Sequence, residues 1–226
     1  MEDRFNWLQG AIMAMGKKTM AAVDKSIEAM VNNDISLAEQ VRIIEKRVDI
    51  MYYAINEHCL DTLSSEISSR REVNMVANSL KIAMELERIC DYANQIAKLV
   101  QKKFSQVDFQ QFRSCHAAVS EMKAQSLNML ETALQSFDQL DAGLSKMVEE
   151  KDSSVDKMNR DLFRNMICLV SINPWSQETA MDYHVAVRYI ERVADRATNI
   201  AELVYYMIHG EPLKKLAVQT DIWDEA

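Results

Sequence analysis

Glu45/Asp49, Glu87/Asp91, Asp152/Asp156 and Glu191/Asp195 are four pairs of acids, each pair set four residues apart. On a helix, residues four apart sit one above the other, so each pair offers two carboxylates on one face. If two such pairs met across the groove between neighbouring helices, four negative charges would converge. They would repel unless a cation or protons balanced them. Oxygen-only donors of this kind suit Mn, Fe, Mg, Ca or Zn, and four bridging carboxylates have room for more than one ion. A shallow, partly water-filled site would bind with modest affinity and little choice among metals. Arginine is the alternative counter-charge. Arg88 and Arg192 lie inside the motifs, and Arg188 lies about one turn before Glu191. Surface ion pairs could therefore account for the acids without any metal.

Other chemistries find little support. The histidines are His58, His116, His184 and His209, and none follows a glutamate by three residues. The Glu-x-x-His ligands of di-iron bundles are thus missing, and the imidazoles read as surface or packing groups. No P-loop, GxSxG or HExxH stands in the chain. Cys59, Cys90, Cys115 and Cys168 form no CxxC pair, and read as buried free thiols. No catalytic residue and no organic cofactor is expected.

The elements that must carry the acids come from a duplication. Leu80–Val100 and His184–Val204 repeat each other at a constant spacing of 104 residues, as from Glu87 to Glu191 and from Asp91 to Asp195. Ahead of the second acid of each pair stands an apolar or small residue: Val48, Cys90, Val155 and Ala194. These mark core stripes, continued by Val41, Ile44, Tyr52, Ile55 and Cys59, by Ala83, Leu86, Ala93 and Ala97, and by Val187, Ile190, Ala197 and Ala201. At ~100° per residue the two acids of every pair lie roughly 60° and 100° from that marker. All four pairs therefore flank the core on the same side, neither buried nor on the far face.

The 226 residues include only 4 Gly and 2 Pro, too few turn-formers for an all-β fold. Six long helices are predicted, over about 3–31, 35–63, 72–102, 109–149, 151–170 and 176–209, the fourth adjusting near Gly143. Asn32-Asn33-Asp34, Ser64-Ser65 with Ser68–Arg71, Ser105–Asp108, Ile172–Trp175 and Gly210 supply the breaks. The expected fold is all-α, two tandem three-helix bundles of antiparallel helices. The first would span 1–104 and the second 105–212, with a C-terminal tail over 213–226 that packs, if at all, through Trp223. A net charge of −8 argues against a broad nucleic-acid surface. No apolar run approaches the ~18 residues of a membrane span, and Met1–Phe5 lacks a signal-peptide core. A cytoplasmic protein, peripheral to membrane complexes at most, is the expectation.

Leu86-Glu87-Arg88-Ile89-Cys90-Asp91-Tyr92-Ala93 resembles the first LERIGD-type signature of the PhoU family, and Arg188–Glu202 resembles the second, closed by Gly210-Glu211. The resemblance covers nearly the whole chain. It implies two tandem three-helix bundles whose acidic motifs bind multinuclear iron, or zinc and other metals. Residue by residue, the implied ligands are Glu45, Asp49, Glu87, Asp91, Asp152, Asp156, Glu191 and Asp195. It further implies a regulatory adaptor, not an enzyme, often dimeric. Such an adaptor acts beside the ATPase subunit of a phosphate ABC transporter and a membrane sensor histidine kinase. It would restrain phosphate uptake and phosphate-starvation signalling when phosphate is plentiful. The alternatives are a carboxylate-bridged metalloenzyme and a metal-free helical scaffold. The chain departs from the family pattern at Cys90 (usually Gly), at Arg196 (often His), at Gln95 where the second copy has Asn199, and at Ser68–Arg71 in place of a Pro-containing turn. As a stripe marker, Cys90 should point into the core rather than ligate.

Overall fold

A computed structural model describes residues 2–64, 69–104, 112–172 and 177–213. They form six helices: α1 (Glu2–Asn32), α2 (Ile35–Ser64), α3 (Arg70–Lys102), α4 (Arg113–Gln139), α5 (Ala142–Ile172) and α6 (Gln177–His209). No strand occurs among the described residues. The breaks proposed at Ser105–Asp108 and Pro174, and the tail with Trp223, lie outside them.

Local chemistry accounts for the helix ends. After α1, Asn33 takes a left-handed conformation (φ 54°). The Asp34 carboxylate then accepts the Ser36 and Leu37 amides at the start of α2. Helix α3 opens on a capping box: Ser69 Oγ accepts the Glu72 amide while the Glu72 carboxylate accepts the Ser69 amide. Gly210, with φ 73°, ends α6, and its amide bonds the Tyr206 carbonyl.

The fourth expected helix, 109–149, is divided earlier than predicted. Leu140 adopts φ 50°, ψ 47° and closes α4. The Asp141 amide donates to the Ser136 carbonyl, and Ser136 Oγ donates to the Asp141 carbonyl. The Asp141 carboxylate then accepts the Gly143 amide. A left-handed leucine is costly. Here it is held by this hydrogen-bonded knot and by packing of Leu140 against the core. Helix α5 accordingly starts at Ala142, about two and a half turns before the expected position.

Helices α1, α2 and α3 pack on one another, as do α4, α5 and α6, and the two trios meet through α3 against α6 and α1 against α4. The predicted stripes are the core: Val41, Ile55, Cys59, Ala83, Leu86, Ala93, Ala97, Val187, Ile190, Ala197 and Ala201 are buried, with Ile44 and Tyr52 half-buried at its edge. All four marker residues are buried as well. Of the four thiols expected to be buried, Cys59, Cys90 and Cys115 are, whereas Cys168 is exposed on α5. Asn74 near the start of α3 reaches the carbonyls of Tyr206 and Met207 at the end of α6, and Lys103 just past the end of α3 pairs with Glu178 at the start of α6. The two helices therefore cross antiparallel.

Candidate functional site

Between α2 and α3 the structure brings Glu45, Asp49, Glu87 and Asp91 together. The carboxyls of Glu45, Glu87 and Asp91 are each raised above the ordinary value, by burial first and then by their neighbours. Asp49 and Asp91 act on Glu45; Asp91, Asp49 and Glu45 act on Glu87; Asp49 acts on Asp91. Cys90 lies fully buried next to Asp91, and its thiol is pushed far up by burial and then by the same four carboxylates. It is buried in the core, as expected.

The second groove repeats the arrangement between α5 and α6. Asp195 remains open to solvent, yet its carboxyl is pushed up to about 6 by desolvation and by repulsion from Glu191, Asp152 and Asp156. The eight predicted residues thus fall into two sets of four, one in each groove. All are half-buried except the more exposed Asp195.

Sequence reasoning missed the amide and hydroxyl groups that line these grooves. Asn94 Nδ2 donates to Glu45 Oε1 at 2.7 Å, and Asn159 Nδ2 donates to Glu191 Oε1 at 2.7 Å. Thr198 Oγ1 donates to Asp152 Oδ1 at 3.2 Å. Asn94 and Thr198 occupy the same position of the repeat, three residues after Asp91 and Asp195. That repeated spacing was the available signal. The side-chain oxygens of Asn94 and Asn159 are buried without a hydrogen-bond partner.

Arginine does little to neutralise the acids. Arg88 pairs with Glu85 at 3.4 Å rather than with Glu87 or Asp91. Arg192 lies over the rings of Tyr92 and Tyr189, 5.7 Å from each centroid. Arg188 to Glu191 and Arg160 to Asp156 are the ion pairs at the second groove, both at 4.0 Å and both with exposed arginines. Among the described residues no ion pair engages Glu45, Asp49, Glu87 or Asp91. The donor chemistry of both grooves fits a hard or borderline cation. Among the described residues, however, no three His, Cys, Asp or Glu side chains stand ready to enclose an ion. A cation would have to draw the carboxylates inward. The histidines pack on rings instead: His58 on Trp7, His116 on Tyr183, His184 on Phe163 and His209 on Tyr205.

A duplicated all-helical chain with an acidic groove in each copy is the architecture that emerges. The family model for the PhoU domain matches it twice, over residues 12–100 and 119–204. The chain belongs to the PhoU family. The phosphate-specific transport system accessory protein PhoU homolog of Pseudomonas aeruginosa is 26% identical over 92% of this chain and 84% of that protein. The accessory protein PhoU of Escherichia coli K12 is 26% identical over 90% of this chain and 83% of that protein. The crystal structure of PhoU from P. aeruginosa superposes with a TM-score of 0.83, covering 93% of this chain and 99% of that one at 26% identity. That of the phosphate transport system regulatory protein PhoU from Streptococcus pneumoniae gives 0.81 over 94% and 99% at 23% identity, and shares the fold. Among the described residues no helix is long and apolar enough to cross a membrane.

Proposed function

We propose that this protein is a regulatory adaptor of phosphate transport whose two carboxylate grooves bind metal cations. Its family membership and the names of its relatives as transport-system accessory proteins support the regulatory part. One observation carries the metal part: four carboxylates converge in each groove, their mutual repulsion and burial raise Glu45, Glu87, Asp91 and Asp195, and no ion pair engages the four acids of the first groove among the described residues. Such grooves hold unspent negative potential that a cation relieves. Glu45, Asp49, Glu87 and Asp91 would hold one site, and Asp152, Asp156, Glu191 and Asp195 the other. Asn94 and Asn159 would orient Glu45 and Glu191 from behind, as supporting groups commonly do for metal ligands. The metal would supply charge neutralisation and a shaped docking face rather than turnover. Iron or zinc is the expected occupant, with Mn, Mg and Ca competing.

The adaptor works in the cytoplasm as a homodimer, contacting the ATPase subunit of the phosphate ABC transporter and a sensor histidine kinase, and restraining both when phosphate is plentiful. The adaptor reading is preferred to a metalloenzyme because the relatives are named as transport-system accessory proteins. The test is elemental mass spectrometry on untagged protein purified without chelator, beside the variant Asp91→Asn with Asp195→Asn. Stoichiometric metal that falls in the variant supports the assignment. Equal metal content in the two proteins, with the helical fold intact, would sink it.

A further inference from the structure

Where the start of α3 meets the end of α6, a cavity of about 630 Å³ opens to solvent. Arg70, Arg71 and Lys81 of α3 and His209 of α6 line it, and among the described residues no acid does. Arg70, Asn74, Asn78 and Lys81 recur at helical spacing, so they share one face of α3. Among the described residues none of the four basic side chains makes an ion pair. In a chain of net charge −8 this is a local concentration of uncompensated positive charge. The helix ends do not create it. Helix α3 starts here and α6 ends here, so their dipoles oppose one another.

Asn78 is 2% exposed and lines the same cavity. Its Nδ2 donates to the Asn74 carbonyl and to Asn74 Oδ1, which fixes the amide, and its own Oδ1 has no partner. Buried acceptors are normally paired. A ligand that suits this wall brings a hydrogen-bond donor along with negative charge.

The second copy shows that the fold does not require this chemistry. At the repeat spacing of 104, Arg70, Arg71 and Lys81 correspond to Pro174, Trp175 and Val185, while Asn74 and Asn78 correspond to Glu178 and Asp182. There Lys103 pairs with both acids, at 2.8 and 3.8 Å, and ties that end of the crossing together. Met207 stands at the position of Lys103, so the opposite end has no such pair and keeps its cavity.

The three cations of α3 span about 16 Å at 1.5 Å per residue, more than a single oxyanion covers. The volume is that of a site enclosing a whole small molecule. A second cavity, of about 400 Å³, shares Lys81 and Tyr206 with the first. Glu85 and Glu202 line that second cavity, so phosphates are repelled there and a base bearing amino donors is not. Tyr206, 37% exposed, lines both cavities and offers its ring to a planar group.

We propose that this seam binds a nucleoside diphosphate or triphosphate, with its phosphates on Arg70, Arg71 and Lys81 and its base beside Tyr206. The proposal is independent of the carboxylate grooves and of the adaptor reading.

Isothermal titration calorimetry on the full chain tests it. Protein and nucleotide are used free of divalent metal, so that the carboxylate grooves cannot recruit a metal–nucleotide complex. ADP or GDP should bind with Kd below about 100 µM, and inorganic pyrophosphate about fivefold more weakly or worse. Arg71→Glu with Lys81→Glu should weaken ADP and pyrophosphate alike by more than about tenfold, through charge reversal at exposed positions. Tyr206→Ala should weaken ADP about fivefold and leave pyrophosphate unchanged. Arg164→Glu, on α5, controls for net charge and should alter neither by more than about twofold. Circular dichroism confirms the fold of each variant. Failure of both nucleotides to bind, equal affinity for ADP and pyrophosphate, or binding untouched by the double reversal would overturn the proposal. So would a short oligoglutamate peptide that binds as tightly as ADP, which would make the cavity a dock for acidic peptide.

Discussion

Glu85 of α3 and Arg196 of α6 form an ion pair at 3.2 Å across the seam between the two helix trios. The Glu85 side chain is only 8% exposed, and it also accepts from Arg88 at 3.4 Å and Asn199 at 3.4 Å. A carboxylate buried this far is tolerated because three donors surround it. Removing the acid would leave Arg196 partly buried without its counter-charge, which costs more than the pair itself contributes.

Glu85→Ala is therefore expected to destabilise the protein by about 2 kcal/mol, with Glu85→Gln costing less because it keeps an acceptor for Asn199. Chemical denaturation of Glu85→Ala, Arg196→Ala and the double variant gives the coupling directly. A coupling of about 1 kcal/mol or more is expected for the pair.

The pH dependence has a definite sign. Asp195 is raised in the fold from an ordinary 3.8 to about 6. The folded state then binds the proton more tightly than the unfolded chain. This contribution to stability is fully present below about 4 and is lost as pH rises through about 6. His116 and His184 work the other way. Burial lowers both from their ordinary 6.5, so they cost stability as the unfolded imidazoles protonate. Comparing natural protein with Asp195→Asn isolates the first effect. In metal-free protein, Asp195→Asn should raise Tm near neutral pH, and the gain should shrink as pH falls towards 4.

Metal should reverse that preference. A cation that binds the folded grooves alone stabilises by about 2.7 kcal/mol at a hundredfold excess over its Kd. Thermal scans of chelator-treated protein with Mn, Zn or Fe added back should show Tm rising with metal. The shift should be largest near neutral pH, where the carboxylates are ionised, and much reduced in Asp91→Asn with Asp195→Asn.

Gly16 tests the other seam. A Cβ placed there would lie 2.6 Å from Leu134 Cδ1, so α1 and α4 approach closely at this point. Gly16→Val should destabilise by about 2 kcal/mol through overpacking. Combining it with Leu134→Ala should recover part of the loss, because the added methyls fill the space the leucine leaves. Denaturation midpoints of the three variants decide this.

The helices and the pairing of the acids were legible because both depend on local spacing. A stripe such as Val187, Ile190, Ala194, Ala197 and Ala201 fixes which face of α6 is buried. Once that face is known, the flank that bears Glu191 and Asp195 follows. The division between α4 and α5 was not legible, because Leu140 carries no turn signature and its left-handed backbone depends on Ser136 and Asp141. Asn159 was missed for a similar reason. Its meaning comes from Glu191, a partner 32 residues away on another helix. The Glu85–Arg196 pair lies further still from local pattern, since it depends on how one copy of the repeat crosses the other.

That crossing bears on how the chain arose. Glu85 and Tyr189 occupy one position of the repeat, and Tyr92 and Arg196 another. Glu85 meets Arg196, and Tyr92 stacks on Tyr189 with centroids 5.7 Å apart. Both contacts therefore join the same two positions, once in each direction. Two identical single repeats meeting about a two-fold axis would have had to make one contact twice. Fusion into a single polypeptide released the two crossings from that identity, so that one became ionic and the other aromatic. The joined halves are thereby told apart, each fitting the other in one sense only.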